Sequence, residues 1–190
     1  MSTASAMRAY RGPALFSFGF RPFFLFGSLW GALAAPLWVY VLAHGGELSG
    51  RVGLDWHIHE MLFGYVGAIV GGFLLTAVPN WTGRYPVIGA RLAGLFTLWA
   101  MGRAAMIAPG LDGLVRGTLD SAYLLALAAV IWREVVAGRN WRNLVVAVAV
   151  SGMAASNLAF HLRPEEAGLD AAVRAGFAVI VLLLALIGGR

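Results

Sequence analysis

Long apolar runs separated by short polar linkers make up this chain. Six of them are of a length to cross a bilayer, at about 23–42, 61–78, 92–107, 114–131, 144–162 and 171–187, since a spanning helix needs roughly 20 apolar residues. The pattern predicts an all-α fold, a polytopic membrane helix bundle forming one domain over residues 1–190. Short linkers predict that successive helices pack as antiparallel neighbours. Pro79 is expected to stop the second run, and the fifth ends before Pro164. Arg103 and Asp120 interrupt the third and fourth. Arg8 and Arg11 precede the first run as in a signal peptide. That run is longer than a signal core and lacks a small-residue cleavage site, so it reads as an uncleaved span.

Composition agrees with a membrane protein. The chain is 60% hydrophobic and 12% charged, against about 25% charged in soluble domains. Its net charge of +5 comes from arginine, without lysine. The arginines are scattered between apolar runs, which argues against nucleic acid and for a topological role. Arg8, Arg11 and Arg21, then Arg84 and Arg91, then Arg133, Arg139 and Arg142 mark one side. Arg51, Arg116 and Arg163 lie on the other, accompanied by Glu47, Asp55, Asp112, Glu165, Glu166 and Asp170. The positive-inside rule then places the N-terminus in the cytoplasm. Trp81, Trp132 and Trp141 fit an inner aromatic belt, and Trp38 and Trp56 an outer one.

This orientation brings all four histidines, His44, His57, His59 and His161, to the outer face. Imidazole near hydrocarbon is costly, and it is the commonest metal ligand. In a helix His57 and His59 project about 200° apart. One is expected to look into the bundle and the other towards a neighbouring helix, with His57 sharing a face with Glu60 and Met61. His161 lies at matching depth on the fifth helix, as axial ligation of a haem requires. His57, His59 and His161 are therefore the candidate haem or metal ligands. Met61 beside them is a candidate soft donor to copper. Arg103 either pairs with Asp120 or meets an anionic group such as a haem propionate. Gly27, Gly31, Gly64, Gly67, Gly71, Gly72 and Gly152 predict close helix packing, or else a slot for a flat macrocycle. The absence of cysteine excludes disulfides, thiolate sites, iron–sulfur clusters and covalent haem attachment.

Several stretches resemble the NnrS family of bacterial membrane proteins of the nitric oxide response. They are Phe18-Gly19-Phe20-Arg21-Pro22-Phe23-Phe24, Trp56-His57-Ile58-His59-Glu60-Met61, residues 71–83 (GGFLLTAVPNWTG), residues 157–162 and the closing Gly188-Gly189-Arg190. The resemblance implies a haem- and copper-carrying protein of the cytoplasmic membrane, associated with denitrification and nitrosative stress. His57, His59 and His161 match its histidine motifs. It also implies that the chain corresponds to the N-terminal half of a longer pattern, completed by a second half, another subunit or a second copy. The expected function is gas binding or electron transfer by haem b, with copper as the second cofactor and nitric oxide as ligand. The alternatives are a cofactor-free scaffold for a metalloenzyme, or a fragment of a small-molecule transporter.

Overall fold

The computed structural model describes residues 10–45, 52–162 and 170–188. Arg8, Glu47, Arg51, Arg163, Pro164, Glu165, Glu166, Gly189 and Arg190 lie outside the described residues. Within them the chain is all-helical. The principal helices are α1 (Phe20–Ala43), α2 (Leu54–Thr82), α3 (Ala90–Ile107), α4 (Gly113–Ala137), α5 (Leu144–Leu162) and α6 (Asp170–Gly188). Short 3₁₀ turns at Ala14–Ser17 and Trp141–Asn143 lead into α1 and α5.

Helices α1, α2, α4 and α5 are long and apolar enough to cross a membrane. Helix α3 carries Arg91 and Arg103 over its 18 residues, and α6 has a shorter apolar stretch, Ala171–Leu186. The six expected spans are thus six helices, four of which meet the length and apolarity of a span.

Three boundaries differ most from the sequence pattern. Helix α2 continues through Pro79 and ends where Gly83 takes up a left-handed conformation (φ 69°), which glycine adopts without a Cβ clash. Proline inside a helix forfeits one backbone hydrogen bond, a loss that membrane helices tolerate where neighbouring groups compensate it. Helix α2 also begins earlier than expected, capped by Gly53, so the histidine motif forms its opening turns. Helix α4 runs to Ala137, well past residue 131. Its start is fixed by Asp112, whose Oδ1 accepts the Leu114 N–H at 2.8 Å.

Helices α3, α4, α5 and α6 pack each on the next, and α1 packs on α2. Helix α2 breaks the simple succession, because it packs against α4 more extensively than against α3. It thereby becomes the central element, its buried side meeting Phe23 of α1, Tyr123, Leu124 and Leu127 of α4, and Met153 of α5. The glycines serve this packing. A Cβ at Gly71 would overlap the Tyr123 hydroxyl, and one at Gly27 would stand 2.9 Å from the Ala68 Cβ. The expected close packing is what these positions show, and the space that a flat macrocycle would need there is filled by the protein's own side chains.

Within α2 the buried positions recur as 59/60, 63/64, 67/68 and 71/72. That interval of four is wider than the 3.6 residues of an α-turn. The first of these steps crosses a π-helical turn at Glu60–Tyr65. Such a turn inserts an extra residue and is frequent at functional sites.

Candidate functional site

His59 and Glu60, two adjacent residues at the start of the π-turn, are both fully buried. Side chains from four other helices meet them. Trp30 of α1 donates its indole N–H to Glu60 Oε2 (2.6 Å). Arg103, near the end of α3, donates from Nη1 to the same oxygen (2.6 Å) and from Nη2 to Asp120 Oδ1. Asp120 lies in the second turn of α4. Its Oδ2 accepts from Asn157 Nδ2 on α5 at 2.8 Å. The same oxygen is 3.0 Å from His59 Nε2 and 2.9 Å from His161 Nε2.

His59 has oxygen partners on both ring nitrogens. Nδ1 lies 3.0 Å from Glu60 Oε1, and Nε2 lies 2.9 Å from Asn157 Oδ1 as well as facing Asp120. A doubly protonated ring satisfies this arrangement, and so does a ring with a cation at Nε2. Phe63 and Phe160 close over the imidazole, with ring centroids 5.3 and 4.8 Å away. Glycines make the convergence possible. A Cβ at Gly64 would overlap the Arg103 guanidinium, and one at Gly117 would stand 2.9 Å from the His161 Cβ. The carbonyl of Gly64, within the π-turn, accepts the Trp99 indole N–H at 2.9 Å.

Burying two carboxylates and a guanidinium is tolerable only because they neutralise one another and their hydrogen-bonding atoms are largely paired. One donor is the exception: Arg103 Nε has no partner among the described residues.

Of the residues picked out from sequence, His59, His161 and Arg103 come together here. His57 and Met61 do not. His57 faces α1, stacked on Trp38 with centroids 4.1 Å apart and planes inclined by 13°. Met61 packs with the small apolar cluster of Trp56, Val52 and Met106. The two histidines of the motif thus diverge as the helical spacing predicts. Glu60 shares the buried face with His59 instead of siding with His57, because neighbouring residues lie about 100° apart and a buried face of that width takes both. Arg103 takes the pairing with Asp120 that the sequence allowed and adds Glu60. His44, at the end of α1, stacks on Tyr40 in an exposed position. Glu60, Asn157 and Trp30 join the cluster without having been singled out. An acid in the motif and an amide one turn before His161 were available signals; nothing in the sequence pointed to Trp30.

The donor set fits a single metal ion. His59, Asp120 and His161 each offer one ligand atom, and these lie within 4.8 Å of one another. Two imidazole nitrogens and one carboxylate oxygen suit zinc, copper or iron(II). The same arrangement does not suit a haem held between two axial imidazoles. The rings of His59 and His161 stand 5.1 Å apart, inclined by 62°. Both Nε2 atoms face the same Asp120 oxygen, at 3.0 and 2.9 Å, instead of an open space between the rings.

Residues 14–190 match the family model described as NnrS protein. No curated protein and no solved structure matches the chain.

Proposed function

The chain belongs to the NnrS family of membrane proteins related to the nitric oxide response, and from that premise we propose that it is a metal-binding protein whose His59, Asp120 and His161 hold one transition-metal ion, copper first. The observation that carries this reading is the convergence of three ligand atoms from three different helices within 4.8 Å. Family membership supports it independently, since the family is known for metal and haem binding. An imidazole-rich set favours copper over the hard cations. A bound copper ion would supply a one-electron redox centre with a coordination position left for a small ligand, here nitric oxide.

The chain's own residues prepare that position. Glu60 accepts from His59 Nδ1 and so turns Nε2 towards Asp120, the carboxylate–histidine relation that orients metal-ligating imidazoles. Arg103 balances the charge of Glu60 and Asp120. Phe63 and Phe160 keep water from the ring. A groove of about 330 Å³ between α4 and α5, lined by Gly117, Leu158 and Leu162, reaches His161 and gives a small uncharged ligand its approach. The distribution of arginines supports placement in the bacterial cytoplasmic membrane with a cytoplasmic N-terminus and the cluster towards the outer face.

The test is metal analysis of the purified protein in lipid nanodiscs, with electron paramagnetic resonance of the copper-loaded form. Near-stoichiometric copper with nitrogen hyperfine coupling is expected, lost in His59→Ala. Copper retained with an unchanged spectrum in both His59→Ala and His161→Ala would overturn the assignment. A second reading, a cofactor-free scaffold, is favoured by one observation: the ligand atoms already satisfy one another. It expects no bound metal in the native protein and no thermal stabilisation by added copper.

A further inference from the structure

A second cavity lies beside the cluster, on its lipid side. Helices α1 and α3 touch through the rings of Phe26 and Phe96, 4.9 Å between centroids. Beyond that contact they separate into a groove of about 400 Å³, within the range of small-molecule sites. Phe26, Trp30, Phe96 and Trp99 wall it with aromatic faces. Leu29 and Leu33 form its rim and are 50% and 58% exposed. Helix α1 is mostly unburied along its apolar length, so the mouth opens towards lipid.

The polar side of this groove is narrowly defined. The indole N–H of Trp30 is committed to Glu60, and that of Trp99 to the Gly64 carbonyl. Arg103 also lines the groove, with its side chain only 6% exposed. Both of its terminal nitrogens are engaged, while Nε has no partner. A buried donor left unsatisfied is costly; this one has essentially no accessible surface, so an acceptor in the groove meets it only as the Arg103 side chain shifts towards the groove. An acyl chain brings none. An anionic head would approach Glu60 and Asp120, which already share this guanidinium. A neutral carbonyl oxygen on a flat ring meets each requirement: an acceptor for Nε–H, π-faces for the aromatic walls, and an apolar tail leaving between α1 and α3.

We propose that the α1–α3 groove binds the ring of a lipophilic quinone, with Arg103 Nε–H donating to a ring carbonyl. This site is separate from the metal donor atoms, but Arg103 joins the two through its bond to Asp120. The inference does not rest on a metal being bound.

The test uses the full chain in nanodiscs, titrated with decylubiquinone and followed by quenching of tryptophan fluorescence. Saturable quenching is expected, because Trp30 and Trp99 form the walls. Ala104→Trp, which fills the groove from α3, should weaken binding at least about tenfold. Arg103→Lys, which keeps the charge and removes the Nε donor, should weaken it about tenfold, the scale of one hydrogen bond to a charged group. Ala100→Phe gives a second block should either variant fail to fold. Unchanged affinity in both Ala104→Trp and Ala100→Phe would overturn the proposal. So would a decyl-chain compound lacking the ring that competes as well as the quinone. Copper measured on the same samples separates the two readings. Quinone binding without copper removes only the metal assignment, and copper without saturable quenching removes only the groove.

Discussion

Helix α4 carries two buried carboxylates, Asp120 and Glu134, about 21 Å of helical rise apart at 1.5 Å per residue. They are 2% and 3% exposed, and both are matched by arginine. Their surroundings differ in kind. Glu134 receives Arg84 at 2.6 Å and Arg133 at 2.6 Å, and these side chains are 39% and 50% exposed. Close by, Asn140 donates to the Trp81 carbonyl at 2.5 Å. This end is a charge clamp reaching in from the surface, and among the described residues no imidazole joins it. At the Asp120 end the guanidinium is itself buried, and two imidazoles and an amide converge on one carboxylate oxygen. Burying an acid in an apolar bundle explains the arginine in both places. It does not explain the imidazoles, and that surplus of nitrogen donors separates a candidate metal centre from a structural clamp.

The sharpest way to break this contrast is Asp120→Asn. The substitution removes the shared ligand and leaves Arg103 with half its countercharge. Copper should be lost, and stability should fall by about 3–5 kcal/mol, as when one partner of a buried pair is removed. Metal analysis and thermal unfolding in nanodiscs read the two effects separately. Next in size, Glu60→Gln should lower copper affinity about 10–100-fold, the usual effect of altering the group that orients a ligating imidazole, measured by competition with a chelator of known affinity. Glu134→Gln should leave copper unchanged while costing about 1–3 kcal/mol, the penalty for weakening buried charged hydrogen bonds. Copper loss in this variant would erase the distinction between the two ends. The smallest effect is expected for His57→Phe, which keeps the stack on Trp38. Copper binding should be unchanged and stability should shift by no more than about 0.5 kcal/mol. A colourless, copper-free His57→Phe protein would move the centre to the other histidine.

The same contrast marks how far the sequence could be read. Apolar runs revealed the helices because hydrophobic length is a one-dimensional property. The divergence of His57 from His59 followed from helical geometry, and the pairing of Arg103 with Asp120 from the cost of a lone charge in an apolar run. The inward turn of Glu60 was hidden. The π-turn that follows it was hidden too, because residues 60–65 (EMLFGY) carry no proline or other marker of one. Nor could the pattern show that Pro79 lies inside α2, since proline near a helix end is tolerated or terminal according to what packs around it. Trp30 was invisible for a different reason. A tryptophan in a membrane helix is unremarkable until its N–H is seen to reach an acid 30 residues on, in the next helix.

The wide turn at Glu60–Tyr65 has a genetic corollary. Losing a single codon from that segment would leave a hydrophobic stretch ample to cross the bilayer, so the protein should still insert. The wide turn would simply tighten to an ordinary α-turn, since it holds one residue more than such a turn needs, and the flanking turns would keep their facing. The same loss further along, in the regular part of the helix, would swivel everything upstream by about 100°, the angle one residue subtends, and carry His59 and Glu60 out of the interior together.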